Sequence, residues 1–292
     1  MNEGHARYGL VGQPVAHSLS PVLFQWLHAE RSRVGPGARS CAYDLLAVPP
    51  DGLADFLRAA GDRFDGLNVT VPHKVAVAAL CDRSTRAARL TGAVNAVRFT
   101  AAPEPGRWEL EGTNTDVDGF ALALAARRPK IAAILGAGGA ARSVVAALAA
   151  RGPAEIRIVH RSPARAEALR AALSSIAPAL VTCPFEHARD ALAGADLIVQ
   201  ATSAGLGGQP ALPPLPWSAS APAAVAMDLV YRPRRTPFLE AAAEAGLETI
   251  DGLEMLAGQA VGALAFFERV DVPPDAARLA GGLAARLRAA VD

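Results

Sequence analysis

At 292 residues, 51% of them hydrophobic, the sequence has the length of about two domains and enough apolar material to build a core in each. Glycine and proline number 26 and 22, a share that excludes a low-complexity, disordered polypeptide. The formal net charge is +1, from 29 Lys and Arg against 28 Asp and Glu, so no general field draws the chain to nucleic acid or to an anionic membrane. Cys41, Cys81 and Cys183 stand far apart with no CxxC pair, which reads as buried thiols in a reducing cytoplasm and gives no support for a metal site. The opening MNEGHARYGL carries Glu3 and Arg7 and no apolar run, so no signal peptide is expected and a cytoplasmic location is. The most apolar window, 131–150, contains Arg142 and is mostly Ala and Gly, too weakly apolar to offset a charge at mid-membrane.

Along the chain, short apolar runs alternate with amphipathic stretches, the pattern of βαβ units with parallel sheets. In the first half, 8–11, 42–48, 67–71 and 93–99 read as strands. A helix opens at Ser20-Pro21, where Ser caps and Pro fits the first helical position. Beyond 99 a Pro-containing turn leads into 108–111, which alternates well enough to return as a hairpin strand. From Lys130 the alternation is more regular, with strands at 131–135, 155–159, 197–200 and 225–229 between Ala-rich helices, and this predicts a second α/β unit. The Pro- and Gly-rich stretch 205–222 is expected to be an irregular surface loop. After Asp251-Gly252 the chain reads as helical, with Met255, Leu256, Val261, Leu264 and Phe267 roughly on one face, and these helices are expected to cross back to the first domain.

Chemistry enters at KIAAILGAGGAARSVVAALAARG, which places an apolar strand, a Gly136-Ala137-Gly138-Gly139 turn and an Ala-rich helix in succession. A diphosphate must approach the backbone amides at the start of such a helix, and a side chain at Gly136 or Gly138 would block the turn or the approach. Ala141 takes the third position of the GxGxxG/A pattern. Glycines also serve tight strand-to-helix packing alone, but the flanking strand and helix favour a dinucleotide. The next strand, EIRIVH, ends where an NAD site would carry an Asp or Glu for the ribose 2′-hydroxyl; here the chain reads His160-Arg161-Ser162-Pro163-Ala164-Arg165. Two guanidinium forks suit a phosphate dianion, so NADP is expected over NAD; the alternative is a pair of solvated charges at a helix start.

The first half is polar where a core would be apolar. HSLSP brings Ser18 and Ser20 together, and Ser20 has a plain role as a helix cap. In NVTVPHK, Asn68, Thr70 and His73 interleave with Val69 and Val71, and Thr70 and Lys74 fall at or beyond the carboxyl end of a strand, where open α/β sheets bind ligands. GAVNAV carries Asn95, and EGTNTDVDGF carries Asn114, Thr115 and Asp116 before a helix. Singly these are turn formers and caps; together they describe a pocket for a polyhydroxylated carboxylate beside a nicotinamide.

HSLSP, NVTVPHK, GAVN, NTDVDGF, GAGGAAR, ATSAG, DLVY and DGLEML…Q, in that order over nearly the full length, make the chain resemble the shikimate dehydrogenase family. The resemblance implies an α/β protein with a substrate domain at 1–115 plus 253–292 and a Rossmann-type, doubly wound NADP domain at 116–252. It implies NADPH-dependent reduction of 3-dehydroshikimate to shikimate in aromatic amino acid biosynthesis. Carried over by position, Lys74 is the acid/base residue and Asp116 its partner, while Ser18, Ser20, Thr70, Asn95, Tyr231 and Gln259 line the substrate site. Gly136, Ala137, Gly138, Gly139, Ala140, His160, Arg161, Ser162, Arg165, Thr202, Leu229 and Gly252 belong to the cofactor side. The chain departs from the family in having His160 and Gln200 where Asn is frequent. The expected partners are the small-molecule substrate and, at most, a second copy of the chain, with neither nucleic acid nor membrane. A quinate or aminoshikimate dehydrogenase is the nearest alternative; a catalytically silent ligand sensor that keeps the fold is another, and it would be expected to lose Lys74 or Asp116.

Overall fold

The computed structural model describes residues 5–32 and 40–291. Its elements run β1 His5–Gly12, α1 Ser20–Ser32, β2 Ser40–Ala47, α2 Leu53–Ala60, β3 Gly66–Val69, α3 Lys74–Leu80, β4 Arg83–Ser84, α4 Arg86–Thr91, β5 Ala96–Ala101 and β6 Trp108–Thr113. They continue with α5 Asp116–Leu124, β7 Ile131–Leu135, α6 Gly139–Ala149, β8 Glu155–His160, α7 Pro163–Leu173, β9 Leu180–Pro184, α8 Ala188–Leu192, β10 Leu197–Gln200, β11 Val225–Asp228, α9 Pro237–Glu244, β12 Glu248–Ile250, α10 Leu253–Glu268 and α11 Ala276–Val291. The chain divides into two compact units, Met1–Thr115 with Ala257–Leu283, and Asp116–Leu256 with Ala284–Asp292.

The first unit holds a six-stranded sheet in the order β2-β1-β3-β5-β6-β4. The hairpin expected beyond 99 is present, with β5 and β6 antiparallel; β1 pairs in parallel with β2 and β3 as expected, but β3 with β5 runs antiparallel, which the parallel pattern did not predict. The tight turn after β5, closed by Ala102 N–H to Arg107 O at 3.0 Å, returns the chain directly and sets the β5–β6 pairing antiparallel. One face packs Val11, Leu67, Val69 and Val97 against Leu53, Leu57 and Val77. On Tyr8, the Phe267 ring of α10 stacks at 5.1 Å between centroids. β3 stops at Val69, two residues short of the predicted 71, because Thr70 O accepts the His73 N–H at 2.9 Å and the chain turns there.

The second unit is a six-stranded, all-parallel sheet in the order β12-β11-β10-β7-β8-β9. Strand order reverses between β10 and β8 on either side of β7, the doubly wound arrangement whose ligand end is the carboxyl edge at that switch point. Side chains alternate across it: Ala132, Ile134, Ile156 and Ile158 face α5, α6 and α7, while Ala133, Leu135, Val159 and Ile198 face α8 and α9. Helices on both faces explain why β7, β10 and β11 read as mostly apolar runs, while β8 alternates Ile156 and Ile158 with Glu155 and Arg157. The apolar window 131–150 is β7 and α6 of this unit; among the described residues no helix is long and apolar enough to cross a membrane. The three cysteines are free but only partly buried, against the expectation of buried thiols, since Cys41 and Cys183 stand in the edge strands β2 and β9 and Cys81 just beyond α3.

A buried carboxylate ends β11. Asp228 is fully buried; its Oδ1 accepts the Val230 N–H at 2.8 Å and its Oδ2 the Thr236 hydroxyl at 2.6 Å, while Thr236 Oγ1 caps α9 by accepting the Leu239 N–H. Burial pushes this carboxyl up to about 7, against the two hydrogen bonds that favour its charge. A raised native value means the folded protein holds a proton that the unfolded chain releases from about pH 4, so the Asp228 contribution to stability falls as pH rises from about 4 to 7 and is level above that. Denaturant unfolding of the wild type and Asp228→Asn should therefore give a stability difference that moves against the wild type between pH 5 and 7, by up to about 1.4 kcal/mol per pH unit. Parallel stability curves would refute the assignment.

Candidate active site

In the first unit Asn95, Thr115, Gln259, Asn68 and Tyr43 form a connected set. Asn95, buried just ahead of β5, accepts at Oδ1 from the Thr115 N–H at 2.7 Å and the Thr115 hydroxyl at 3.2 Å; its Nδ2 donates to Thr115 Oγ1 at 3.0 Å and to Gln259 Oε1 of α10 at 3.5 Å. The Asn95 carbonyl also accepts from Val69 N–H at 2.7 Å and from Asn68 Nδ2 at 3.4 Å, and Asn68 Oδ1 accepts the Tyr43 hydroxyl at 2.9 Å. Asn114 Nδ2 donates to Thr91 Oγ1 and to Ala93 O, each at 3.0 Å. Buried amides that spend their hydrogen bonds in this way hold one orientation, since leaving a group unpaired costs about 1–3 kcal/mol.

Ser18 Oγ donates to Ser20 Oγ and accepts the Ser20 N–H, both at 3.1 Å, so at this helix start Ser18 plays the capping part assigned to Ser20. Thr70 N–H bonds to Val11 O at 2.9 Å and so stays on the sheet edge. Lys74 is the first residue of α3 and half-buried. Its backbone is pinned from two sides: Lys74 O accepts the Val94 N–H at 2.8 Å, and the buried His73 ring lies with Nε2 2.7 Å from Val48 O. Tyr231, the remaining residue of the predicted substrate set, belongs to the second unit, as does Asp116, buried in the first turn of α5.

In the second unit the glycine turn follows β7 directly. Gly136 has φ +114°, a conformation that a side chain strains, and a Cβ there would lie 2.8 Å from Thr202 Cγ2 and 3.1 Å from Ala201 O. At Gly138, whose backbone is extended, a Cβ would meet no protein atom within 4 Å, so the space above the helix start is open. Helix α6 has no side-chain cap and no acidic residue in its first turn, leaving its amides and the positive end of its dipole to an anion. Ala141 is fully buried in the core, the close helix-to-sheet packing that the small third residue permits.

At the end of β8, His160 is buried and Arg161 and Arg165 are exposed. Neither arginine is engaged by an ion pair or hydrogen bond with another described residue, and α7, which they flank, has no acidic residue in its first turn. Leu229 and Gly252 come together: a Cβ on Gly252 would lie 2.8 Å from Leu229 O. Two features escaped the sequence reading. Tyr43 joins the amide set from β2, and Asp228 organises the segment carrying Tyr231; an acid inside the apolar run VAMDLV was the signal for the latter.

An open glycine turn, an uncapped helix and two unengaged guanidinium groups fit a phosphorylated dinucleotide, and together with the doubly wound sheet they define a dinucleotide-binding α/β protein. The family model of the shikimate dehydrogenase substrate binding domain matches residues 10–97, and that of shikimate / quinate 5-dehydrogenase matches residues 123–206. Shikimate dehydrogenase (NADP(+)) of Maricaulis maris is 40% identical over 286 residues, spanning 95% of this chain and 96% of that protein. The structure of shikimate 5-dehydrogenase from Thermus thermophilus in complex with NADP(H) and shikimate superposes with TM-score 0.75 at 36% identity, covering 96% of this chain and 99% of that one. Quinate dehydrogenase from Corynebacterium glutamicum in complex with NAD reaches TM-score 0.76 at 28% identity, covering 95% and 98%. The chain belongs to the shikimate dehydrogenase family.

Proposed function

We propose that this protein catalyses the reversible, NADP-dependent interconversion of 3-dehydroshikimate and shikimate, with the substrate held mainly by the first unit, Met1–Thr115 with Ala257–Leu283, and the cofactor by the second. The observation that carries the cofactor half is the pair of unengaged arginines at the carboxyl end of β8, where no carboxylate stands to meet a free 2′-hydroxyl. Bound NADPH supplies the hydride. The α6 amides and Gly136 to Ala140 take the diphosphate, Arg161 and Arg165 with Ser162 and His160 take the phosphoadenosine, and Thr202, Leu229 and Gly252 border the other half.

Ser18, Ser20, Thr70, Asn95, Tyr231 and Gln259 present hydroxyls and amides to the substrate's hydroxyl and carboxylate groups. The 3.5 Å contact between Asn95 and Gln259 is the weakest in that set and the one a substrate hydroxyl replaces at least cost. Lys74 donates a proton to the carbonyl oxygen as negative charge develops there, and takes it back in the reverse direction. Its backbone is pinned, which fixes the root of the side chain, and Asp116 is proposed as the partner that orients the amine. The enzyme is proposed to act in the cytoplasm, as a monomer or homodimer.

The likeness to a quinate dehydrogenase favours a second reading, oxidation of quinate with NAD. Steady-state rates on shikimate and quinate, each with NADP and NAD, separate the two. Shikimate with NADP is expected to give the highest kcat/KM, and preference for quinate with NAD would transfer the assignment.

A further inference from the structure

The carboxyl ends of β7 and β10 lie side by side, with Gln200 paired to Leu135 in the residue before the glycine turn. Gln200 is buried, and its side chain closes the turn that leaves β10. Its Oε1 accepts from the Thr202 N–H at 2.6 Å and the Thr202 hydroxyl at 2.7 Å; its Nε2 donates to Ala204 O at 3.0 Å; and Thr202 Oγ1 accepts the Ala204 N–H at 3.1 Å. Thr202 Cγ2 is the atom 2.8 Å from where a Gly136 Cβ would stand, so this turn packs directly on the glycine turn. The Gln200 backbone carbonyl accepts the Leu229 N–H at 3.0 Å and ties in the segment leaving β11. The buried amide thus closes the 200–204 turn, whose Thr202 packs on the glycine turn while the Gln200 backbone holds the segment leaving β11.

We infer that Gln200 is a positioning residue for the nicotinamide half of the bound cofactor, acting through Thr202 and the 200–204 turn held against Gly136. The inference rests on the proposed NADP site. β8 and β10 flank β7 on opposite sides. A dinucleotide with its diphosphate on the β7–α6 turn and its 2′-phosphate at the end of β8 therefore directs its other nucleoside toward β10. Gln200 bears on that second half and leaves recognition of the 2′-phosphate untouched. Methionine has the same reach without the hydrogen bonds, so it would leave the Thr202 N–H and the Ala204 carbonyl without their partner, and the turn would lose its single geometry.

The test is fluorescence titration of NADPH and NADH into wild type, Gln200→Met, Gln200→Asn and Thr202→Val, with kcat and apo thermal stability measured alongside. Gln200→Met is expected to weaken both cofactors by about tenfold, equally, so the NADPH-to-NADH preference stays within about twofold of wild type while kcat falls. Thr202→Val, which keeps the methyl against Gly136 but loses the hydroxyl, should show the same equal loss. Gln200→Asn, with the same amide one methylene shorter, should lie nearer wild type than methionine does. Wild-type-like affinity and kcat in Gln200→Met and Thr202→Val, a lowered melting temperature with unchanged affinity, or a changed NADPH-to-NADH preference would each overturn the inference while leaving the cofactor site standing. A wild type that binds neither cofactor would overturn the site itself and this inference with it.

Discussion

Lys74→Ala is expected to lose about 10²-fold or more in kcat in both directions while its dissociation constant for NADPH stays within about threefold of wild type. The asymmetry follows from what the ammonium does. Charge on the substrate oxygen is small in the ground state and large in the transition state, so the donor acts mostly on the barrier. The backbone of Lys74 is held by Val94 and by the His73 ring on Val48, contacts that survive truncation of the side chain, so the variant should fold. Single-turnover kinetics with cofactor titration in the same samples separates the two effects. Retained turnover would remove Lys74 from the chemistry, and a parallel loss of NADPH affinity would mean that it serves binding instead.

The second large effect is expected from replacing Arg161 and Arg165 together by glutamine. Each guanidinium that bonds a phosphate dianion contributes about 1.5–3 kcal/mol, so losing both should raise the KM for NADPH about 10²-fold or more, with the KM for NADH changed by less than about threefold. Both side chains are exposed and unengaged, so their loss leaves no unpaired buried group and should not lower the melting temperature. Equal changes for the two cofactors would remove the phosphate argument.

What the sequence made legible follows from burial. The central strands of the second sheet, β7, β8, β10 and β11, are covered on both faces; β7, β10 and β11 read as mostly apolar runs and β8 as a short alternation, so their places were predicted almost to the residue. The edge strands β9 and β12 were not: only Leu180 of LVTCP is buried and none of ETI is, so neither carries a run or an alternation to find. The two-residue β4 is too short for any pattern. In the first sheet, the local signal placed the strands and the hairpin return of β6, but not the antiparallel run of β5 against β3, which depends on the connection through α3, β4 and α4. The glycine turn and HRSPAR were legible because their chemistry is contiguous. The amide set was legible only in part: Tyr43 meets Asn68 across 25 residues of chain, and Asn95 meets Gln259 across 164, separations that no local pattern records.

The central claim is that the Lys74 amine protonates the oxygen of the carbon reduced by a phosphorylated nicotinamide. A crystal structure of the protein with NADP and shikimate tests it directly. Lys74 Nζ is expected within hydrogen-bond distance, about 3 Å, of the shikimate hydroxyl on the carbon facing the nicotinamide ring, with Arg161 and Arg165 on the 2′-phosphate. A Lys74 side chain turned to solvent in that complex, or a 2′-phosphate remote from both arginines, would contradict it.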